Sequence, residues 1–312
     1  MSPRPLHDEP QYVGFIGLGR MGGPMARNLV RAGMRVHGWD TAGEARSSAR
    51  ELGVEMESSA RALIDRCDVT ILMLPDSPAV DAVIDDLIST GAALSHRLIV
   101  DMGSSEPTRT RALEARLHAI GASFIDAPVS GGVRGAEQAK LTIMVGGESG
   151  AVGRAMPILQ HLGSTVVHVG PAGAGHALKA LNNLLSAAGM LVAAEAVVAA
   201  MRFGIAPETA IDVVNRSTGR SWSTEYKFPT FVLSRSFASG FSARLMEKDL
   251  RTAVALEGEL NIDTPLSAAV AARWSALASQ LPADADHTEI VTPVERSAGV
   301  RIGESGVAPA VG

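Results

Sequence analysis

The stretch Tyr12-Val-Gly-Phe-Ile-Gly-Leu-Gly-Arg-Met-Gly22 decides the fold class of this chain. Its first five residues read as a buried strand, and the Gly-x-Gly-x-x-Gly pattern that follows opens an amphipathic helix running to Ala32. A second strand, Arg35–Trp39, ends on the acidic residue Asp40. A strand, a glycine-rich turn, a helix and an acid about 20 residues further on are typical of a dinucleotide-binding unit.

Each glycine of the turn has a separate physical task. Gly17 permits the tight turn, Gly19 lets the backbone approach a pyrophosphate, and Gly22 lets the helix pack closely on the strand. Arg20 and Met21 complete the loop, and the helix N-terminus offers free N–H groups to phosphates. The alternative is a turn that is glycine-rich for packing alone. We predict cofactor contacts for Gly17, Gly19, Arg20, Met21 and Gly22.

Asp40 favours NAD over NADP as the cofactor. Its carboxylate suits the adenosine ribose hydroxyls, whereas a 2′-phosphate would meet a like charge. Arg46 lies close enough in sequence to weaken this preference. In the alternative interpretation, Asp40 only caps the helix after the strand.

Alternating strands and helices continue to residue 170 and predict a doubly wound sheet with an extra hairpin-like section. Open sheets of this kind hold ligands at the carboxyl ends of their strands. Leu74 and Pro75 follow the strand Val69–Met73, and Ser104 follows the strand Leu98–Asp101. We therefore predict a dinucleotide-binding Rossmann domain over residues 12–170.

Ser130-Gly131-Gly132 follows the strand Ser123–Asp126 and does not match the Gly-x-Ser-x-Gly nucleophile elbow. Two glycines free the backbone N–H groups to point at an anion, and the Ser130 hydroxyl adds a donor. A substrate carboxylate is a suitable ligand. The alternative is an ordinary glycine turn.

A long helix is predicted from Gly173 to Phe203, apolar nearly all round. Its polar residues lie within an arc of about 100°: Lys179, Asn182, Asn183 and Ser186. A buried helix with such a polar stripe must face something polar, so we interpret the stripe as the floor of a cleft with Lys179 as its ionisable group. The alternatives are an internal hydrogen-bond network and a membrane span. The polar residues near the start of the helix, and Glu195, argue against a membrane.

Residues 171–296 show helical periodicity and predict an all-α second domain. Half of the aromatic residues fall between Trp222 and Phe241, as expected for core or subunit contacts, or for the wall of a substrate pocket. Lys248-Asp249 lies on a helix with apolar flanks. Residues 297–312 lack periodicity, and we expect a disordered tail there.

The composition excludes several classes. A net charge of −5 on 312 residues argues against nucleic-acid binding, which needs a basic face. One cysteine, Cys67, excludes an internal disulfide, and we expect it to be a buried structural thiol. The eight histidines show no metal-ligand spacing, and residues 1–11 show no secretory pattern. These features predict a cytoplasmic protein without metal, nucleic acid or membrane as partner.

Six motifs, in this order, resemble the β-hydroxyacid dehydrogenase family, which includes 3-hydroxyisobutyrate dehydrogenase and tartronate semialdehyde reductase. The resemblance spans about residues 13–290. The motifs are Gly-Leu-Gly-Arg-Met-Gly (17–22), Met-Leu-Pro (73–75), Asp-Met-Gly-Ser-Ser-Glu-Pro (101–107), Asp-Ala-Pro-Val-Ser-Gly-Gly-Val (126–133), Gly-x-Gly-x-x-x-Lys-x-x-Asn-Asn (173–183) and Lys-Asp-Leu (248–250).

The resemblance implies a role for each matching residue. Lys179 matches the catalytic lysine, Asn183 would orient the substrate, and Ser130, Gly131 and Gly132 match the loop that binds the substrate carboxylate. The positions that line the cofactor are Leu74, Pro75, Ser104 and, from the second domain, Lys248. Family members are homodimers or homotetramers whose C-terminal helices pack across subunits. The resemblance therefore implies that the second domain serves substrate binding and dimerisation.

The implied reaction is reversible oxidation of a 3-hydroxy acid to its semialdehyde or keto acid, with Lys179 exchanging the hydroxyl proton. Lysine has a pKa of about 10.4 in water, so this role requires burial or a neighbouring positive charge to lower it. An imine reductase-like enzyme and a non-catalytic NAD-binding protein are the alternatives on this fold. Hydroxyisobutyrate, glycerate, threonate, 4-hydroxybutyrate and sulfolactaldehyde-type substrates all suit it. Arg134, after the carboxylate loop, has no assigned role beyond a contact to a second anionic group.

Overall fold

A computed structural model describes residues 12–303 of the chain. The chain divides into two compact units, one ending at Lys179 and the other beginning at Ala180. The predicted boundary at residues 170 and 171 precedes the long helix, whereas this division falls inside it.

The first unit alternates strands and helices along most of its length. They are β1 (Tyr12–Ile16), α1 (Gly22–Arg31), β2 (Arg35–Trp39), α2 (Gly43–Glu51), β3 (Glu55–Met56), α3 (Ala60–Arg66), β4 (Val69–Leu72), α4 (Ser77–Ser89), β5 (Leu98–Asp101), α5 (Pro107–Ala119), β6 (Ser123–Asp126), β7 (Val129–Ser130), α6 (Gly132–Glu137), β8 (Leu141–Gly147), α7 (Ser149–Leu159) and β9 (Gly163–Gly170).

These strands form one sheet in the order β3-β2-β1-β4-β5-β6-β8-β7, with β9 also paired to β8. The six strands from β3 to β6 are parallel, whereas β8 runs antiparallel to both β6 and β7. The predicted Rossmann-type fold and its hairpin-like section are confirmed.

Both faces of the sheet are covered, which explains why its strands read as continuous apolar runs. Val13 and Phe15 point into one hydrophobic cluster, and Ile16 points into another. Cys67 belongs to the second cluster and is fully buried, so burial raises the pKa of its thiol to about 12. It is the structural thiol that we predicted.

The described part of the second unit contains helices and no strands, as predicted. They are α8 (Ala174–Phe203), which begins in the first unit, α9 (Pro207–Asn215), a π-helical segment (Ser223–Val232), α10 (Ala243–Glu259), α11 (Pro265–Ala278), a 3-10 turn (His287–Ile290) and α12 (Val291–Ala298). Helix α8 is long and apolar enough to cross a membrane, but half of its most apolar stretch is buried within the protein. A core helix of a soluble protein has the same properties, so this is weak support for a membrane span.

The prediction of a disordered tail is wrong for residues 297–303. Gly299 ends α12 in the left-handed conformation, with φ of 64°. Ile302 is fully buried, its N–H donates to the Glu295 carboxylate at 2.8 Å, and its carbonyl accepts from Arg235 at 3.1 Å. Tertiary contacts hold this segment although its sequence has no periodicity. The rest of the predicted tail, 304–312, lies outside the described residues.

The aromatic-rich region separates into buried and exposed members. Phe228 is fully buried in the core of the second unit, whereas Trp222 is 64% exposed and stacks on Tyr226 at a centroid distance of 4.9 Å. Trp274 on α11 is also fully buried, and its indole N–H donates to the Ala243 carbonyl at 3.0 Å. Trp274 therefore ties α11 to the start of α10.

Trp274→Ala should destabilise the second unit by about 3–5 kcal/mol, because it leaves a large cavity and an unpaired carbonyl. Trp222→Ala is the matched control, and its exposed ring should contribute about 1 kcal/mol or less. Denaturant unfolding followed by far-UV circular dichroism measures both. Similar shifts for the two variants would contradict this assignment of the core.

Candidate active site

The loop between β1 and α1 has room for an anionic ligand beside its backbone. A Cβ at Gly17, where φ is 91°, would lie 2.3 Å from the Met73 carbonyl oxygen, and one at Gly22 would lie 1.9 Å from the Gly17 oxygen. A Cβ at Gly19 would meet no atom within 4 Å. Gly17 and Gly22 are therefore required by packing, and Gly19 borders open space where a ligand can approach the backbone.

The Asp40 carboxylate organises this loop. One oxygen accepts from the Leu18 N–H at 2.7 Å, and the other accepts from the Ala42 N–H at 2.8 Å. Each carboxylate oxygen can accept further hydrogen bonds, so ribose hydroxyls can still be bound. Asp40 does not cap α2, whose N-cap is Ala42. The Arg46 guanidinium donates to the Asp40 carbonyl at 3.1 Å, which keeps a cation near this position.

The sheet brings most of the predicted residues of the first unit to one edge. The glycine loop, Leu74 and Ser104 follow β1, β4 and β5, which are parallel neighbours. Strand β8 runs antiparallel to both β6 and β7. Strand β7 therefore runs in the same direction as β6, and its carboxyl end also lies at this edge. The Ser130–Gly132 loop therefore lies at the edge that carries the cofactor loops.

Exposure of the predicted residues in this unit varies. Gly17 and Gly22 are buried. The partly buried ones are Met21, Asp40, Leu74, Ser104, Ser130 and Gly132, and the exposed ones are Gly19, Arg20, Pro75 and Gly131.

The first turn of α8 is anchored by a buried carboxylate that the sequence analysis did not identify. Asp126, at the end of β6, accepts from the Gly173 N–H at 2.7 Å and from the His176 N–H at 2.8 Å. Its side chain is fully buried, and burial raises the pKa of this carboxyl against the opposing effects of His176 and of the two N–H donors. Asp126 thus supplies hydrogen-bond acceptors that a helix N-terminus lacks.

His176 joins Asp126 to the neighbouring strand end. Its Nδ1 lies 2.8 Å from the Thr110 hydroxyl, and its Nε2 lies 3.7 Å from a carboxylate oxygen of Asp101. Asp101 in turn accepts from the Ser105 hydroxyl at 2.7 Å. This buried network therefore links the ends of β5 and β6 to the start of the helix that carries Lys179.

Lys179 is partly buried and is the last residue of the first unit. In the second unit, the predicted residues Asn183 and Lys248 meet through Asp249. The Asn183 amide donates to the Asp249 carboxylate at 2.6 Å, and the Lys248 ammonium lies 3.3 Å from the other carboxylate oxygen. Asp249 is 2% exposed and can only accept when ionised, so it fixes the orientation of the Asn183 amide.

Lys227 is a further buried polar residue of this unit that no sequence motif indicates. This lysine is 7% exposed, and its ammonium donates to the Ser186 hydroxyl at 2.7 Å. Ser186 is the last member of the polar stripe on α8. Aromatic residues dominate the sequence around Lys227, although a lysine among apolar residues is a detectable signal.

A further cluster near Lys227 resembles a catalytic triad in composition but not in geometry. The Ser239 hydroxyl lies within hydrogen-bond distance of both the Asp286 carboxylate and the Nδ1 atom of His287. In a triad the histidine uses its two nitrogens to bridge serine and aspartate. Here both groups meet one hydroxyl, and the buried Nε2 of His287 has no hydrogen-bond partner among the described residues. The cluster is therefore structural.

Comparisons with known proteins identify the family of this chain. The family model described as the NAD binding domain of 6-phosphogluconate dehydrogenase matches residues 12–170. The model described as the NAD-binding domain of NADP-dependent 3-hydroxyisobutyrate dehydrogenase matches residues 173–294. The chain belongs to the β-hydroxyacid dehydrogenase family. It is accordingly an NAD(P)-dependent oxidoreductase acting on CH–OH groups.

Two curated relatives of this β-hydroxyacid dehydrogenase cover most of the chain. The 2-(hydroxymethyl)glutarate dehydrogenase of Eubacterium barkeri is 36% identical over 82% of this chain and 85% of its own length. A probable 3-hydroxyisobutyrate dehydrogenase of Mycobacterium tuberculosis is 35% identical over 89% of this chain and 96% of its own length.

A solved structure is similar throughout. The Mycobacterium tuberculosis 3-hydroxyisobutyrate dehydrogenase with L-serine has a TM-score of 0.86 and 34% identity over 92% of this chain and 99% of its own. The imine reductase of Streptomyces aurantiacus has a TM-score of 0.62 at 20% identity, over 91% of this chain and 99% of its own. That second likeness shows a shared fold and nothing further.

His287 should make the stability of the enzyme depend on pH. Burial, followed by the positive charge of Lys227, lowers the pKa of His287 to about 4. Between that value and about 6.5 the unfolded chain binds the proton and the folded chain does not. The free energy of unfolding should therefore fall as the pH drops through this window, by about 3 kcal/mol in total.

His287→Gln should remove the fall in the free energy of unfolding that His287 causes between about pH 6.5 and 4, because glutamine does not titrate. His118→Gln, at an exposed position on α5, is the control and should keep it. Denaturant unfolding at several pH values from 7 to 4 measures the difference. Equal pH dependence in the parent and His287→Gln would contradict the assignment.

Proposed function

We propose that this β-hydroxyacid dehydrogenase reversibly oxidises a 3-hydroxy acid to its semialdehyde or keto acid, with NAD favoured as the hydride acceptor. The proposal depends on one observation: in a chain of this family, Lys179 and Asn183 lie one turn apart on the polar stripe of α8. NAD, when bound, would supply the acceptor for the hydride of the carbinol carbon.

Lys179 takes the hydroxyl proton during oxidation and returns it during reduction. A base in this role needs an amine within hydrogen-bond reach of the hydroxyl and a deprotonated state available near neutral pH. The Asp126 anchor supports the first requirement, since it fixes the turn of α8 directly before Lys179. Asn183 orients the substrate, and its contact with Asp249 preorganises the amide.

The loop Ser130-Gly131-Gly132 binds the substrate carboxylate in this proposal. The Ser130 hydroxyl and the backbone N–H groups of the two glycines are its donors. Gly131 adopts φ of 131°, a conformation that favours glycine and lets the backbone turn directly into α6. The position of the loop, at the sheet edge that carries the cofactor loops, supports this role.

The cofactor site consists of the first glycine loop and the neighbouring strand ends. Gly17, Gly19, Arg20, Met21 and Gly22 hold the pyrophosphate, and Asp40 holds the adenosine ribose. The other residues proposed to contact the cofactor, by the family resemblance, are Leu74, Pro75, Ser104 and Lys248. The open space at Gly19 supports a close approach of phosphate to the backbone.

The names of the relatives offer two substrate types. Both 3-hydroxyisobutyrate and 2-(hydroxymethyl)glutarate are 3-hydroxypropanoates, and they differ in the group on the second carbon, methyl or a chain ending in a second carboxylate. L-serine, named with the Mycobacterium tuberculosis structure, is also a 3-hydroxy acid. The substrate class proposed for this chain covers all three.

The assembly and the compartment belong to the same proposal. We expect a homodimer or homotetramer, supported by exposed apolar residues along α8: Leu185 (74% exposed), Val192 (65%) and Phe203 (83%). The relatives support a soluble enzyme, and we place it in the cytoplasm because its single cysteine suits a reducing compartment.

Lys179→Ala should reduce kcat by about 10³-fold or more while NAD still binds, because the variant loses the proton acceptor and keeps the cofactor loops. Lys140→Ala, at an exposed lysine of the first unit, is the matched control and should retain parental kcat. Steady-state kinetics and calorimetric titration of NAD measure the two properties. Near-parental turnover in Lys179→Ala would remove this lysine from the mechanism.

Asp40→Ser should lower the ratio of kcat/KM for NAD to that for NADP by about tenfold or more, because it removes a ribose acceptor and a charge that repels 2′-phosphate. Asp212→Ser, at an exposed site on α9, removes an equal charge and should leave the ratio unchanged. Kinetics with each cofactor on one substrate measure it. An unchanged ratio in Asp40→Ser would assign cofactor choice elsewhere, with Arg46 as the next candidate.

A further inference from the structure

The imidazole of His176 is buried between two carboxylates of the first unit. Its Nδ1 atom lies 3.8 Å from an Asp126 oxygen, its Nε2 atom lies 3.7 Å from an Asp101 oxygen, and each of these side chains is 1% exposed or less. Polar groups are costly to bury, so a cluster of this kind in the interior requires specific partners. The proposed reaction assigns no step to this ring.

Thr110, on α5, determines how the ring is oriented. Its hydroxyl has one proton, which it donates to the Glu106 carbonyl at 3.0 Å. The hydroxyl oxygen therefore accepts from Nδ1 of His176 at 2.8 Å, across 66 positions of the sequence. This hydrogen bond fixes the ring with its Nε2 edge towards Asp101.

The backbone of the first turn of α8 is held by a separate set of contacts. A Cβ at Gly175 would lie 2.3 Å from the Met144 carbonyl oxygen and 2.8 Å from an Asp126 oxygen, so the turn packs directly on both. Asp126 also accepts from the Gly173 and His176 N–H groups. These contacts locate the start of the helix. A helix attached at its end can still rotate about its axis, and a side-chain contact away from the axis opposes that rotation.

His176 is well placed to oppose a rotation that would displace Lys179. The two residues lie three positions apart on α8, which is about 4.5 Å along the axis, on neighbouring parts of the helix surface. A rotation that moves the imidazole therefore moves the Lys179 side chain in the same sense.

The carboxylate on the other side of the ring holds the loop after β5. Asp101 accepts from the Gly103 N–H at 2.9 Å and from the Ser105 hydroxyl at 2.7 Å. Ser104, between them, is proposed to contact the cofactor. The imidazole of His176 therefore lies between this cofactor loop and the helix that carries the proposed base.

We propose that His176, held by Thr110, is a positioning residue for Lys179. The imidazole fixes the rotation of the first turn of α8 relative to the loop after β5, and so the distance between the Lys179 amine and the substrate hydroxyl. This inference rests on the proposed function and deepens it. Proton transfer needs donor and acceptor about 2.6–3.2 Å apart, and a displacement of about 1 Å can slow a reaction by about 100-fold.

Thr110→Val tests the proposal, because valine has nearly the shape of threonine and lacks the hydroxyl that accepts from His176. With NAD saturating and active enzyme in excess over a 3-hydroxy acid, the single-turnover rate constant of NADH formation should fall by about tenfold or more. Stopped-flow absorbance measures it. The dissociation constant of NAD, measured by calorimetric titration, should stay within about threefold of the parental value, because Asp101 keeps its contacts with Gly103 and Ser105.

The single-turnover measurement separates positioning from a loss of structure. Its rate constant does not depend on the fraction of the enzyme that is folded, provided that active enzyme remains in excess. Thr110→Ser keeps the hydroxyl and should retain the parental rate constant. Thr90→Val is the matched control, because it removes an exposed hydroxyl that donates to the carbonyl four residues earlier, as Thr110 does.

Two results would overturn the proposal: a parental rate constant in Thr110→Val, or an equal loss in Thr110→Ser. If Thr110→Val yields no folded enzyme, His176→Gln replaces it, since glutamine exchanges the rigid ring for a flexible chain. The same fall in the rate constant is expected there, and a parental value would again overturn the proposal.

Hydrogen exchange separates this inference from the proposed function. In Thr110→Val, the amides of the first turn of α8 should exchange about tenfold faster than in the parent, whereas those of β1 should keep their rates. If no 3-hydroxy acid is oxidised but this exchange increases, the proposed reaction fails and the attachment of α8 through His176 stands. If 3-hydroxy acids are oxidised and Thr110→Val keeps the parental rate constant, the reaction stands and the positioning role fails.

Discussion

The anchoring of α8 by Asp126 is the contact on which the candidate site depends. A helix N-terminus leaves backbone N–H groups without partners, and here two of them donate to one buried carboxylate at the end of β6. A carboxylate without such donors would be costly to bury. Even with these donors, burial raises the pKa of the Asp126 carboxyl. The favourable end of the helix dipole helps to hold the charge there. The end of β6 and the start of α8 therefore stabilise each other. This contact sets the orientation of the helical turn that precedes Lys179.

The polar residues of the stripe on α8 need hydrogen-bond partners, because most of the helix surface around them is apolar. The helix is apolar on most of its circumference because its second half packs in a hydrophobic core, with Ala187, Met190 and Ala194 fully buried. Polar groups on such a helix need partners, and α10 and the π-helical segment supply them. Asp249 binds Asn183, and Lys227 binds Ser186. One face of the helix thereby contacts the ammonium group of Lys227 and the carboxylate of Asp249.

Much of the site could be predicted because its residues act through local backbone geometry. Gly22 is required by a close approach to Gly17 within one strand-turn-helix unit, whose sequence spacing is nearly invariant. Gly17 is required by its φ of 91° and by the Met73 carbonyl, which follows the neighbouring strand β4. Asp126 and Lys227 could not be predicted in the same way. Asp126 acts on residues almost fifty positions later, and Lys227 reaches Ser186 from a segment whose π-helical backbone has no clear sequence pattern. The ordered residues after Ala298 were missed for the same reason, since Arg235, which is 67 positions away in the sequence, donates to the Ile302 carbonyl.

The sequence by itself determined the Rossmann-type fold, the long helix and its polar stripe. Hydrophobic periodicity and glycine spacing are local properties, and they suffice to define strands, helices and turns. Only the tertiary structure decided which carboxylate anchors the helix, which lysine joins its stripe and which aromatic rings are buried. These outcomes depend on side chains that meet across long sequence separations, where pairing and desolvation, rather than local preference, select the partner.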